Sequence, residues 1–265
     1  MFETYLSRWD LVRDGAPITT RNNDLLPVLC HDVPAMLKIA RVPEETRGAK
    51  LMIWWDGDGA ARVLKHEDDA LLLERALGTH SLTDMARLGQ DDDASRIICQ
   101  VAAKLHAPRP NPPPRLTDLS TWFRQLWPAA QRSGGILARA ASIASDLLAD
   151  QHEIVPLHGD LHHGNVLDFE RGWLAIDPKH IVGERAFDFA NILRNPDFDL
   201  ATAPGRLARQ AHIVAEAAGI GHRRLLQWTF ALAGLSAAWN LDDGHEPVLD
   251  LAIAERAERA LSELA

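Results

Sequence analysis

Cysteine is nearly absent. Cys30 and Cys99 are the only two in 265 residues, far apart and outside any CxxC pair. This excludes a disulfide framework or a thiolate zinc site and suits a reducing compartment. No run of 18 consecutive apolar residues occurs, so no membrane span is expected. The first fourteen residues are charged and lack an apolar core of the signal-peptide kind. Lys/Arg clusters that would make a basic nucleic-acid face are missing, and no internal repeat is visible. The expectation is a soluble, cytoplasmic, monomeric chain that binds neither nucleic acid nor membrane. What is present is ordinary for a globular protein, with 46% apolar and 25% charged residues, which excludes disordered and collagen-like chains. Lys and Arg number 28 against 37 Asp and Glu, a formal charge of −9; such an excess can draw cationic ligands. The length allows one large core or two lobes sharing a cleft.

The two parts of the chain read differently. Asp14-Gly15 marks a turn between two short apolar stretches, and Leu25–Leu29 and Ala35–Ala40 read as strands joined by a bend at His31-Asp32-Val33-Pro34. Pro43-Glu44-Glu45 opens a helix, with Pro suited to the first turn and acidic side chains to the helix dipole. It stops at Asp56-Gly57-Asp58-Gly59, and two more strands follow at 61–64 and 70–74. The result is a five-stranded antiparallel sheet with one crossing helix. From Asp91 the chain turns helical, with a stripe of Ile97, Ile98, Val101, Ala102 and Leu105 ending at His106. Residues 108–114, with five prolines, read as a semi-rigid surface connection. Helices are expected at 119–131, 135–149, 205–218, 222–240 and 248–264, with short apolar strands at 154–157, 166–169 and 173–177 and a hairpin turn at Glu170-Arg171-Gly172.

The densest polar segment, Leu157 to Asn165, sits between two of these strands. His158, Asp160 and Asn165 fit the His-x-Asp-x-x-x-x-Asn spacing of kinase catalytic loops, where Asp accepts the substrate hydroxyl proton and Asn binds magnesium. Asp177, read as the end of the second hairpin strand, stands where a metal-binding Asp belongs in that chemistry. Lys38 lies in an apolar strand, where an unpaired ammonium is expensive. A nucleotide phosphate and a helix carboxylate would be its partners, with Glu45 preferred over Glu44. A zinc site built from His158, His162 and His163 is disfavoured: adjacent loop histidines rarely share one ion, and no HExxH helix accompanies them. The tryptophans read mainly as core. The acidic turn Asp242–Glu246 is either a solvated loop or an attractor for a guanidinium-rich ligand.

The run LHGDLHHGNVLDFERGWLAIDPKHIVGERAFDFAN, residues 157–191, resembles the aminoglycoside/hydroxyurea phosphotransferase family, and most closely its streptomycin 6-phosphotransferase branch. PAMLKIARVP, WWDGDGAARVL, ALLLERA, AKLHAP and GLSAAW extend the resemblance from about residue 8 to residue 240. It implies an α+β, protein-kinase-like bilobal fold: residues 1–76 as a nucleotide-binding sheet lobe with hinge, and 77–265 as a helical lobe carrying catalytic loop and acceptor site. It further implies ATP and Mg2+ as cofactors and a cationic aminocyclitol, streptomycin at its 6-position, as acceptor. By resemblance Asp160 is the catalytic base, Asn165 and Asp177 the magnesium ligands, and Lys38 the phosphate-binding lysine. Asp188, with His158, supports the catalytic loop, and the segment from Leu72 to Ala76 is the hinge, with Glu74 and Ala76 offering groups to adenine. Two departures stand out. The turn Thr19–Asn23 over the nucleotide has no Gly-x-Gly-x-x-Gly, and Gly164 and Lys179-His180 differ from the family pattern beside the acceptor cleft. A same-fold kinase of another metabolite and a catalytically silent nucleotide-binding module are the rival readings. The second is disfavoured because Lys38, Asp160, Asn165 and Asp177 are all intact.

Overall fold

The computed structural model describes residues 2–264, the side chains of residues 43 and 44 excepted. Helix α1 (Phe2–Trp9) leads into strands β1 (Leu11–Arg13), β2 (Ile18–Thr19), β3 (Asn23–Cys30) and β4 (Val33–Ala40), then helix α2 (Pro43–Trp55) and strands β5 (Val63–Glu67) and β6 (Ala70–Glu74). The strands form one antiparallel sheet in the order β1-β3-β4-β6-β5, with β2 paired to β3. Lys38 on β4 is opposite Leu25 on one side and Leu71 on the other, in the middle of the sheet.

Three details differ from the sequence reading. The first apolar stretch is a helix, because Tyr5, Leu6 and Trp9 make one face of two turns and pack on Leu26, Leu37 and Leu72. The sheet has six strands rather than five, the extra one being the two-residue β2. The β3–β4 turn is only His31-Asp32, both with positive φ, the twist that a two-residue hairpin requires; Val33 and Pro34 already belong to the strand.

After β6 come α3 (Leu82–Met85) and α4 (Asp91–His106), then β7 (Thr117–Asp118), α5 (Leu119–Trp122), α6 (Leu126–Ser133) and α7 (Gly135–Ala149). The helix expected over 119–131 is broken by a 3-10 turn at Phe123–Gln125. Next are β8 (Ile154–Leu157), the hairpin β9 (Val166–Phe169) and β10 (Gly172–Ala175), β11 (Ile181–Glu184), α8 (Ala186–Ala190) and α9 (Phe198–Ala201). The chain closes with α10 (Arg206–Ala218), α11 (His222–Asp242) and α12 (Val248–Glu263). Strand β11 pairs with β8 and with the two-residue β7, a small sheet absent from the sequence reading. Helix α11 is buried on nearly every side, and a Cβ at Gly234 would stand 2.4 Å from Ala140 Cβ of α7, so glycine permits that close crossing. No helix among the described residues is long and apolar enough to cross a membrane.

Helix α2 joins sheet and helices. Its Ala49 and Met52 pack against Leu71, Leu73, Phe169 and Leu174, while Leu51 and Trp55 enter the large helical core with Ile98 and Leu105. Burying side chains of that size contributes roughly 1.5–3 kcal/mol each. The proline-rich segment is held down rather than merely connecting. Arg109 donates to the carbonyls of Leu105, Ala107 and Asp58 and lies 4.9 Å over the Trp54 ring, whose N–H donates to Asn111 O.

Candidate active site

The polar loop 158–165 leaves β8 and enters β9, and one buried carboxylate organises it. Asp188 on α8 accepts from the backbone N–H of His158 at 2.8 Å and of Gly159 at 2.6 Å, and from His106 Nε2 at 2.7 Å. Burial by itself would raise the Asp188 pKa, but the His106 hydrogen bond, the nearby histidines and the Gly159 N–H outweigh it and hold the carboxyl below its ordinary value. His158 is fully buried and kept neutral by burial. Its Nε2 lies 2.7 Å from Ile176 O, its Nδ1 accepts from Asp160 N–H at 3.2 Å, and its ring stacks on Trp55. Gly159 has φ +76°, and a Cβ there would meet Ile181 at 2.7 Å, so this turn requires glycine.

The second segment is zipped to the first. Ile176 N–H donates to Asn165 O at 2.9 Å, and Lys179 N–H to His158 O at 2.7 Å. Strand β10 ends at Ala175, so Asp177 lies two residues beyond it with φ +60°, not on the strand as expected. The left-handed backbone, which Asp tolerates better than most residues, lets the chain turn into Pro178. Pro178 in turn abuts α2: a Cβ on Gly48 would stand 2.3 Å from Pro178 O. Helix α2 can approach this closely only because residue 48 is glycine.

These contacts bring the sequence-selected residues together. Lys38 Nζ lies 2.7 Å from Glu45 Oε2 and 2.6 Å from Asp177 Oδ1. Burial would raise the Glu45 pKa, but the Lys38 and Lys179 ammoniums reverse this and lower it. Asp160 Oδ1 accepts from Asn191 Nδ2 at 2.9 Å, while its Oδ2 faces Lys179 Nζ at 3.4 Å. Asn165 donates through Nδ2 to Asp160 O at 2.9 Å, which leaves its amide oxygen for another partner. A cleft of about 230 Å³ is lined by Thr20, Arg21, Asn22, Asn23, Glu45, Asp160, His162, Asn165, Asp177 and Lys179. The turn without glycines thus forms its sheet-side wall. A larger cavity of about 530 Å³ beside the start of α10 is lined by Glu255, Arg256, Arg259 and Glu263 and by none of the residues selected from sequence.

Other selected residues lie differently. The Glu74 carboxylate accepts from Arg62 N–H at 2.6 Å and pairs with Arg171, and its own N–H donates to Arg62 O. The Glu74 carboxylate and backbone N–H are thus both committed within the protein, and Ala76 lies two residues beyond the strand. In the acidic turn, Asp243 pairs at 3.0 Å with Arg21 of the cleft wall; another acidic residue of the helical part, Asp197, caps α9 and pairs with Arg87. Sequence reasoning gave no role to Asn191 or His106 and set Lys179 beside the cleft, which it lines. Only His106 carried a signal, as the polar end of an apolar stripe before a proline.

Residues 8–244 match the family model described as aminoglycoside/hydroxyurea antibiotic resistance kinase. The chain is 51% identical to a streptomycin 3''-kinase of Klebsiella pneumoniae, over 97% of this chain and 100% of that protein. It is 31% identical to a streptomycin 6-kinase of Streptomyces griseus, over 94% and 86% of the two chains. Its fold is similar to the apo crystal structure of a thermostable mutant of aminoglycoside phosphotransferase APH(4)-Ia, with TM-score 0.68, 16% identity, and 100% and 99% of the chains covered.

Proposed function

The chain belongs to the aminoglycoside/hydroxyurea antibiotic resistance kinase family, and from that membership and the cleft we propose that it transfers the γ-phosphoryl group of ATP to a ring hydroxyl of streptomycin. The observation that carries this is the convergence of Lys38, Glu45, Asp160, Asn165 and Asp177 on one cleft. The 3''-hydroxyl is the better acceptor position, given a 51% identical 3''-kinase against 6-kinases near 30%. The 6-position expected from sequence is its rival.

Lys38, held by Glu45, would bind the nucleotide phosphates, and residues 74–76 would be the hinge between a nucleotide lobe ending at residue 76 and the acceptor lobe. Asp160 would take the acceptor proton, with His158 and Asp188 fixing its backbone. The donor set fits magnesium. Asp177 has one oxygen on Lys38 and Asn165 has its amide oxygen uncommitted, both hard oxygen donors at the cleft. Among the described residues no cluster of three His, Cys, Asp or Glu forms a full cage, and Mg2+ normally takes one or two protein oxygens plus substrate phosphates. When bound it would neutralise charge on the phosphates. ATP as donor and two free thiols fit a cytosolic setting.

The test is an acceptor panel with purified protein, ATP and Mg2+: streptomycin, other aminoglycosides, hydroxyurea and neutral polyols, followed by phosphorus–proton correlation NMR of the product. Turnover of streptomycin with phosphate on the 3''-oxygen is expected. Phosphate on the 6-oxygen would correct the position. Turnover of hydroxyurea or a polyol without streptomycin would replace the acceptor.

A further inference from the structure

Lys38 and Lys179 both face carboxylates, but they are held differently. Lys38 makes two short ion pairs, at 2.6 and 2.7 Å, and is buried. Lys179 Nζ stands 3.4 Å from Asp160 Oδ2 and 3.6 Å from Glu45 Oε1, both beyond the 2.7–2.9 Å of a charge-assisted hydrogen bond. Its side chain is about a quarter exposed and lines the cleft. The backbone that launches it is fixed, by Lys179 N–H on His158 O and by Pro178 against Gly48. This is a placed ammonium that no single carboxylate has captured.

Resting on the proposed phosphotransfer, we infer that Lys179 is a further catalytic residue, whose ammonium contacts the oxygens of the transferring phosphoryl group. The bond from the γ-phosphorus to the β,γ-bridging oxygen breaks, and that oxygen leaves with ADP. The new bond forms to the acceptor oxygen, whose proton passes to Asp160. Asn191 holds Asp160 Oδ1, so Oδ2 is the oxygen left to take the proton, and it is the one facing Lys179. Moving from Oδ2 to the phosphoryl oxygens, the ammonium frees the base while meeting the charge on the migrating group. The cleft needs such a charge. Glu45, Asp160 and Asp177 stand there against Lys38 and Lys179, while the cleft-wall Arg21 is turned to Asp243, and electrostatic stabilisation is the main means available to this reaction.

Lys179→Gln should lower kcat on the order of 10²–10³-fold, as loss of one oriented donor does, with the KM values for ATP and streptomycin little changed and Lys179→Arg recovering most of the rate. A second readout needs no acceptor: affinity for Mg-ADP with and without aluminium fluoride, which mimics the transferring phosphoryl. Wild type should bind Mg-ADP more tightly when fluoride is added. Lys179→Gln should lose that gain while binding Mg-ADP alone as wild type does. A Lys179→Gln protein that keeps both kcat and the fluoride gain, or loses Mg-ADP affinity to the same degree, overturns the role and leaves a structural ion pair. Wild type that shows neither the fluoride gain nor phosphotransfer sinks the proposed function first, and this role with it.

Discussion

The cleft and a second charged cluster, where α4 begins, use the same residue types in opposite ways. In the second cluster Asp91 takes a two-pronged grip from Arg206 at 2.7 and 2.9 Å, both side chains almost fully buried. Ser95 donates to Gln210, and Gln210 to Asp92, closing the contact between α4 and α10. His163 is buried nearby; at 3.8 Å from Asp91 it is an electrostatic neighbour rather than a hydrogen-bond partner. Burial alone would raise the Asp91 pKa, but His163 and the Arg206 guanidinium bring it down to about 2. In the cleft, by contrast, Asp177, Asn165 and Lys179 each keep capacity turned toward open space. A network whose charges are paired inside the protein serves stability, whereas one with charged and polar groups turned to open space serves a ligand. The two are joined by α4, which carries Asp91 at its first residue and the Asp188 partner His106 at its last.

The largest expected separation comes from the cleft. Asp160→Asn or Asp177→Asn should cut turnover by roughly 10²–10⁴-fold while a thermal melt stays cooperative and close to wild type. Activity above a tenth of wild type in Asp177→Asn would mean another residue holds the metal. Arg206→Met should do the reverse. Of its arginine partners Asp91 would keep only the half-exposed Arg209 at 3.6 Å. Loss of its buried partner costs up to about 3–5 kcal/mol, a melting temperature lower by up to roughly 6–20 °C for a chain of this size, with kcat per folded molecule largely kept. Differential scanning calorimetry beside a coupled ADP assay reads both.

Gly48→Ala probes the seam between sheet and catalytic loop. The added Cβ collides with Pro178 O, so α2 must retreat and take Glu45 with it. A displacement of this kind is worth up to about 10²-fold in kcat, and the substitution should destabilise by about 1–3 kcal/mol. A variant with wild-type kcat would show that the seam tolerates movement.

Acid should reach the closed cluster. The folded pKa of Asp91 lies below its ordinary value, so its contribution is complete above about pH 4 and fades as pH falls toward about 2. That shift corresponds to about 2 kcal/mol, and Asp188, also lowered, acts in the same direction. Urea melts between pH 5 and 2.5 should show this loss in wild type and a smaller one in Asp91→Asn. The smallest effect concerns the acceptor. If carboxylates near the cleft mouth attract a guanidinium sugar, its KM should rise a few-fold from low salt to ~0.5 M as screening tightens; a flat salt profile would favour contacts that are not ionic.

The loop from His158 to Asn165 was legible because phosphoryl transfer fixes both residue types and spacing, and Lys38 because a lone lysine in an apolar strand needs a partner. Asn191 was not, since the strand β11 and helix α8 that carry it back to Asp160 had to fold first. Lys179 was placed beside the cleft, which it lines, but the direction of its ammonium was not legible for a related reason. Sequence put it two residues after Asp177, but the left-handed turn at Asp177 and the bond to His158 O decide where its ammonium goes. Helix α1 and strands β2 and β7 escaped because two to eight residues carry too little periodicity to read.

The most direct measurement is mass spectrometry of streptomycin after incubation with ATP, Mg2+ and either wild type or Asp160→Asn, each first shown folded by its melt. Wild type should convert streptomycin to a product heavier by one phosphoryl group, with one ADP formed per product, and Asp160→Asn should leave it unchanged. Unmodified streptomycin with wild type, or equal conversion by the two proteins, would contradict a cleft built for phosphoryl transfer around Asp160.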